Sequence, residues 1–380
     1  MTKIVALAVL YLKYERPKNT QYEISSPHLL FMKNLPSTFT RRDFLKFSAA
    51  GALSLLFAEL GLDQVYAGAP PLQKQGRTTW SSLTIYDKPS FNGTVLHVYG
   101  RDVVLPITEE LIIEDAQAYN PIWYRIGDEG FAHSAYLQPV YTSYNLPVHN
   151  LPERKVLAEV TIPFVPVRLG ASYFYKQKLR YYYGTTHWVD KIIQNENDGT
   201  YWYRIFDRQV KTYFFLPCYS LRIIPDEELA PLSPKIPPED KSIFVDLAAQ
   251  TMVAYEGDTP VMTSRIASGW GNTPTPTGEF STYHKAPSVH MTDGAGDAAN
   301  YDLPGVPWVS FFTGNGDSFH GTYWHNDFGD PRSHGCVNTP DNVAKFIYLW
   351  SNPTVPPDED YLHLPGQGTR VTIVEGNIES

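Results

Sequence analysis

Cysteine is nearly absent: the 380-residue chain carries two, Cys218 and Cys336. Two thiols cannot build a disulfide scaffold. Positive charge is also in deficit, with 31 Lys and Arg against 40 Asp and Glu. The net charge of −9 excludes a nucleic-acid binder whose affinity rests on neutralising backbone phosphates. Uncharged apolar runs of about 20 residues are missing, which excludes a multi-pass helical membrane protein. Proline (31 residues) and aromatic side chains (14%) are what the chain has in quantity. They favour strands, turns and loops over long helices. At roughly 150 residues per domain, the length gives two to three domains.

Near the amino end the chain reads TRRDFLKFSAAGALSLLF from Thr40. Arg41 and Arg42 precede a short apolar stretch, Phe47–Leu62, that Glu59 and two glycines make too weak for a stable span. Ala67, Gly68 and Ala69 supply small residues for cleavage. Residues 32–70 therefore resemble a twin-arginine signal, which exports folded proteins. Met32 is the expected start, residues 1–31 being untranslated or disordered, and the mature chain begins near Pro70 or Pro71.

Residues 75–140 and 151–225 are short alternating runs broken by turn residues, a pattern that predicts small β-barrels. Trp123-Tyr124-Arg125-Ile126 recurs as Trp202-Tyr203-Arg204-Ile205. The two segments resemble tandem bacterial Src-homology-3-like domains; the repeat also fits two similar aromatic strands within one larger β domain. Residues 226–241 (DEELAPLSPKIPPEDK) hold four prolines and seven charges, marking a linker or tether. Residues 242–375 form the last segment. Strand patterns run over Ile243–Leu247, Met252–Glu256, Val261–Ala267 and Thr369–Val374. Asp341–Trp350 is its best helix, with Val343, Phe346, Ile347 and Trp350 at helical spacing and Pro340 at its start.

Phe319–Asn338 reads FHGTYWHNDFGDPRSHGCVN. Cys336 follows Gly335 and lies two residues after His334; His320 stands sixteen residues before it. A free thiol has a pKa of roughly 8.5, and a histidine partner can lower it by several units. Glycine beside a nucleophile lets a substrate backbone approach. Spacing alone does not choose between His320 and His334 as the base.

The run Ser333-His334-Gly335-Cys336-Val337-Asn338, with His320 upstream, strongly resembles the L,D-transpeptidase catalytic domain family. The turn NTPTPTGEF (Asn272–Phe280), PGVPW (Pro304–Trp308) and Tyr323-Trp324-His325 extend the likeness over about 241–374. The resemblance implies that Cys336 is the nucleophile, His320 the base and proton donor, and the Gly321 carbonyl its orienter. Ser333, His334 and Gly335 would shape the site, with N–H groups near Gly335 and Cys336 forming the oxyanion hole. Tyr323, Trp324, Asn338 and Trp308 are the candidate substrate contacts. Tyr323 and Trp324 fit an acceptor pocket or simple packing equally well, and Asn338 and Ser333 support the loop rather than react. The implied fold is mainly β: two small barrels, then a β-sandwich-like domain with one or two short helices.

The implied reaction is crosslinking of peptidoglycan. A donor tetrapeptide stem acylates Cys336 and releases terminal D-alanine; an acceptor amine then attacks the thioester. It needs no metal or other cofactor, and carbapenems would acylate the same cysteine. The expected location is extracytoplasmic, with no stable membrane span once the signal is removed. Three alternatives stand beside it: an L,D-carboxypeptidase that gives the thioester to water, a metallohydrolase using His320, His325, His334 and Cys336, and a wall-binding protein with a minor catalytic role. Cys218, in the apolar run FFLPCYSL, reads as a buried thiol, and a Cys218–Cys336 disulfide would disable the nucleophile.

Overall fold

The computed structural model describes residues 72–113, 119–293 and 301–376. The twin-arginine segment, the residues before it and most of the Asp293–Asp297 stretch lie outside the described residues.

The first sheet contains β1 (Gln75–Thr78), β2 (Leu83–Tyr86), β3 (Val95–Tyr99), β4 (Val104–Ile112), β5 (Ile122–Ile126), β6 (Gly130–His133) and β7 (Leu137–Val140). The second contains β8 (Val156–Val160), β9 (Phe164–Arg168), β10 (Gln177–Tyr182), β11 (Thr186–Gln194), β12 (Tyr201–Asp207), β13 (Thr212–Pro217) and β14 (Leu221–Ile223). Their orders are β3-β2-β6-β5-β4-β1-β7 and β10-β9-β13-β12-β11-β8-β14. Adding seven to each strand number converts one order into the other. The repeat is thus a whole sheet, of which WYRI on β5 and β12 is the legible fragment. Trp123 and Trp202 are both fully buried.

Neither sheet closes into the expected barrel, because no ladder joins the first and last strands of either order. Each folds over its own core instead. Leu83 and Ile85 of β2 share a cluster with Leu137 of β7; Val165 and Val167 of β9 share one with Leu221 of β14. Side-chain packing across the fold takes the place of a closing hydrogen-bond ladder.

Residues 226–241 are docked rather than a free tether. Glu228 pairs with Arg222 and Lys345. Leu229 is buried with Trp308, Tyr348 and Leu349, and Leu232 N–H donates to the Leu349 carbonyl at 3.0 Å. The prolines hold the segment extended, and its leucines supply the anchors.

The remaining strands are β15 (Lys241–Asp246), β16 (Thr251–Glu256), β17 (Thr259–Arg265), β18 (Gly278–Ser281), β19 (His284–Thr292), β20 (Asp302–Phe311), β21 (Ser318–Gly321), β22 (Val337–Thr339), β23 (Leu362–His363) and β24 (Arg370–Val374). They form two five-stranded sheets, β17-β16-β15-β24-β18 and β22-β21-β20-β19-β23. Between them lies a core that includes Ile243, Val245, Phe319, Val337 and Ile373. The helix α1 (Asp341–Trp350) adds Val343, Ile347 and Trp350 to this core. Its other side places Ala344, Tyr348 and Leu349 against Leu157 of β8 and Ile224. At roughly 1.5–3 kcal/mol per large buried apolar side chain, this second contact fixes α1 against the second sheet.

Candidate active site

The site is assembled by one strand pair. β21 and β22 run parallel, with Phe319 opposite Val337, His320 opposite Asn338 and Gly321 opposite Thr339. Side chains alternate along a strand, so Ser318 and His320 share a face, and the register brings Cys336 and Asn338 to it. Cys336 sits immediately before β22, with Sγ 3.6 Å from Ser318 Oγ and 3.8 Å from the Gly316 carbonyl oxygen. The sixteen-residue gap between histidine and cysteine thus closes by strand pairing.

His320 is buried, and its Nδ1 lies 2.9 Å from the Gly321 carbonyl oxygen. A carbonyl only accepts, so Nδ1 carries the hydrogen and Nε2 presents a lone pair. Burial pushes the imidazole down to about 4, against a smaller upward pull from this hydrogen bond. Burial raises the Cys336 thiol, partly offset by the hydroxyl and N–H of Ser318. The resting pair is therefore neutral thiol and neutral imidazole. This corrects the expectation that a nearby histidine depresses the thiol: desolvation penalises both charged forms more than the pair's attraction repays.

The loop carrying Cys336 is braced internally. Ser333 Oγ donates to the Cys336 carbonyl at 2.5 Å and accepts the Gly335 N–H at 3.1 Å. Gly335 N–H is thereby engaged, which removes it from the expected oxyanion donors and leaves that of Cys336. Thr275 Oγ1 donates to the Gly335 carbonyl at 2.8 Å and accepts the Gly269 N–H at 2.8 Å. The Thr-Pro turn of 272–280 is therefore a buttress under the cysteine loop. Gly335 has φ of +116°, and a Cβ there would meet Asp317 Oδ1 at 2.2 Å, so no other residue fits.

The other candidates divide. His334 is exposed, its ring 5.5 Å from that of Tyr301. Trp324 is half-buried and flanks His320 at 5.7 Å between ring centroids. Tyr323 and Trp308 are buried and do not present a face to substrate. Tyr323 stacks on Tyr182, and its hydroxyl donates to the Pro304 carbonyl. Trp308 packs against Tyr348. Asn338 is also buried, its amide 2.9 Å from His325 Nε2. His325 Nδ1 accepts the Asp327 N–H at 3.2 Å, so this histidine is spent on loop structure. Cys218 and Cys336 are both free thiols; burial pushes Cys218 up to about 12.

Four contributors escaped the sequence reading. Ser318 could have been flagged by its two-residue offset from His320. Thr275 stood within a quoted motif without a role. Arg77 and Asn120, from the first sheet region, had no local signal. Arg77 donates to Gln138, Asp102 and the Tyr323 carbonyl. Asn120 Nδ2 donates to Asp327 at 3.0 Å, and Asn326 N–H donates to the Ala135 carbonyl at 2.9 Å. The segment following His320 is therefore held from outside the catalytic sheets.

Residues 240–373 match the family defined as the L,D-transpeptidase catalytic domain (YkuD). These residues are an L,D-transpeptidase catalytic domain. The match covers the sheets that carry Cys336 and His320 and stops short of the two seven-stranded sheets. Among solved structures, the chain is 29% identical to the catalytic domain of the Enterococcus faecium L,D-transpeptidase, covering 36% of this chain and 98% of that one, with a TM-score of 0.28. A longer form of the Enterococcus faecium enzyme is 27% identical over 36% of this chain and 50% of that one, with a TM-score of 0.29. An L,D-transpeptidase from Stackebrandtia nassauensis is 19% identical over 40% of this chain and 66% of that one, with a TM-score of 0.28. The chain thus spans half of the longer Enterococcus form. No curated protein matches it.

Proposed function

We propose that this chain is an exported cysteine L,D-transpeptidase that crosslinks peptidoglycan stem peptides through a Cys336 thioester. The observation that carries the reading is the donation of His320 Nδ1–H to the Gly321 carbonyl, on the strand paired with the cysteine loop. It commits one ring nitrogen and leaves Nε2 as the base.

Because thiol and imidazole rest neutral, the proton leaves Cys336 for His320 Nε2 as sulfur attacks the donor carbonyl. The oxyanion is met by the Cys336 N–H and neighbouring donors. Collapse of the tetrahedral species breaks the peptide bond. His320 returns the proton to the departing D-alanine amine, and a thioester remains. An acceptor amine from a second stem then attacks, loses its proton to His320, and expels the thiolate, which is reprotonated. Atoms balance without metal or redox partner. Trp324 beside His320 is the aromatic placed to meet a stem peptide. The twin-arginine segment supports export, and among the described residues no helix is long and apolar enough to cross a membrane.

The test is product analysis with a disaccharide-tetrapeptide. A crosslinked dimer lacking one alanine supports the reading. A tripeptide without dimer favours the carboxypeptidase.

A further inference from the structure

A second cavity, of about 490 Å³, lies between the second seven-stranded sheet and the strands β19 and β20. Cys336 and His320 are not among its lining residues. Its volume falls in the roughly 300–1,000 Å³ range of small-molecule sites.

Its chemistry is specific. Trp188 Nε1 and the Tyr181 hydroxyl both line it, both atoms are buried, and neither has a hydrogen-bond partner. Tyr181 as a whole is completely buried. Orphaned donors of this kind are costly unless something at the cavity accepts from them. The cations that line it are already neutralised: Lys155 and Arg208 share Asp360, and His290 lies between Asp207 and Asp302. An anionic ligand would find no unpaired Lys or Arg there. Phe206 and Tyr213 line the same cavity with 42% and 45% of their surface exposed. Apolar ring faces, unpaired donors and carboxylate acceptors, without net positive charge, suit a neutral ligand rich in hydroxyl and amide groups.

The geometry points to a saccharide-binding site here, taking an N-acylated sugar of a glycan strand. Sugar faces lie on Phe206 and Tyr213. Acyl carbonyl or hydroxyl oxygens accept from Trp188 and Tyr181, and sugar hydroxyl or amide hydrogens reach Asp190 and Asp207. The choice of an N-acylated sugar over other saccharides rests on the peptidoglycan reading above; the site itself does not depend on the reaction at Cys336. Its walls come from both the second sheet and the catalytic domain, so a bound glycan would seat the enzyme on the polymer that bears its stems.

The experiment titrates the full chain with a β-linked tetramer of N-acetylglucosamine, free of peptide, by isothermal calorimetry. Trp188→Phe removes the N–H and keeps a ring; Phe206→Ala removes an exposed face with little risk to the core. Saturable binding weakened about fivefold or more in each variant is expected. Absence of saturable binding, or equal affinity in wild type and both variants, overturns the assignment and leaves a solvent-filled cleft. Cys336→Ala should bind the tetramer as wild type does. Turnover of stem peptides without sugar binding removes this site alone; sugar binding without turnover removes the reaction alone.

Discussion

The guanidinium of Arg77, on the first strand of the first sheet, donates to the main-chain carbonyl of Tyr323 in the segment that follows His320. Arg77 is 1% exposed. It also bonds Gln138 at 3.0 Å and Asp102 at 2.8 Å, and lies 4.1 Å from the ring centroid of Tyr182, which stacks on Tyr323. One side chain thus joins both seven-stranded sheets to the catalytic loop. Removing one partner of a buried charge pair costs about 3–5 kcal/mol. Arg77→Ala should lower the denaturant midpoint accordingly and reduce kcat more than it raises KM. Arg77→Lys should not rescue, since a lysine lacks the planar fork. Wild-type stability and kcat in Arg77→Ala would show the sheets to be independent of catalysis.

Asp341 opens α1 with a fully buried carboxyl whose Oδ1 has no partner. Burial pushes it up to about 8, against the downward pull of the Thr322 N–H. The unfolded chain ionises this group near its ordinary value of 3.8, the folded chain only near 8. Between those values the unfolded state binds fewer protons, so stability falls as pH rises from about 4 to 8. Asp341→Asn removes that penalty. It should be more stable than wild type at pH 7, on the order of a few kcal/mol, and nearly level from pH 4 to 8. Urea unfolding at three pH values checks this; a less stable variant at pH 7 contradicts it.

A neutral resting pair predicts the pH dependence of the thiol. Because burial raises Cys336 above the ordinary thiol value of 9.0, its alkylation by iodoacetamide should climb about tenfold per pH unit from 6 to 8. The acid limb of turnover should lie near 4, where His320 takes a proton. An alkylation plateau below pH 7 would point to a preformed thiolate–imidazolium pair instead.

Ser333 connects the Cys336 carbonyl to the Gly335 N–H. Ser333→Ala leaves both groups short of a partner, at a cost of about 1–3 kcal/mol. Steady-state kinetics should show kcat reduced by roughly tenfold or more with KM little changed. A change confined to KM would place Ser333 in substrate binding.

The nucleophile and its histidine were legible because their chemistry is local: Ser-His-Gly-Cys is a contiguous run, and Gly335 is required by its backbone angle. The β-rich character and α1 were legible from periodicity, including the face formed by Val343, Ile347 and Trp350. The opposite face of α1 was not, because its partner Leu157 lies far away in sequence. The same distance hid Arg77 and Asn120, and it made Trp308 and Tyr323 look available when tertiary packing buries them. Only four residues of the sheet repeat survive as sequence, since strand order depends on hydrophobic pattern rather than identity. The direction of the Cys336 shift depends on burial, which no spacing reveals.

The central claim is that Cys336 forms a thioester with a stem peptide. Intact-protein mass spectrometry after rapid quench with a disaccharide-tetrapeptide tests it directly, with Cys336→Ala alongside. The account predicts an adduct of the substrate less one alanine on the wild-type chain, none on the variant, and loss of the adduct when acceptor amine is added. An alanine released with no adduct, or one persisting in Cys336→Ala, would contradict it.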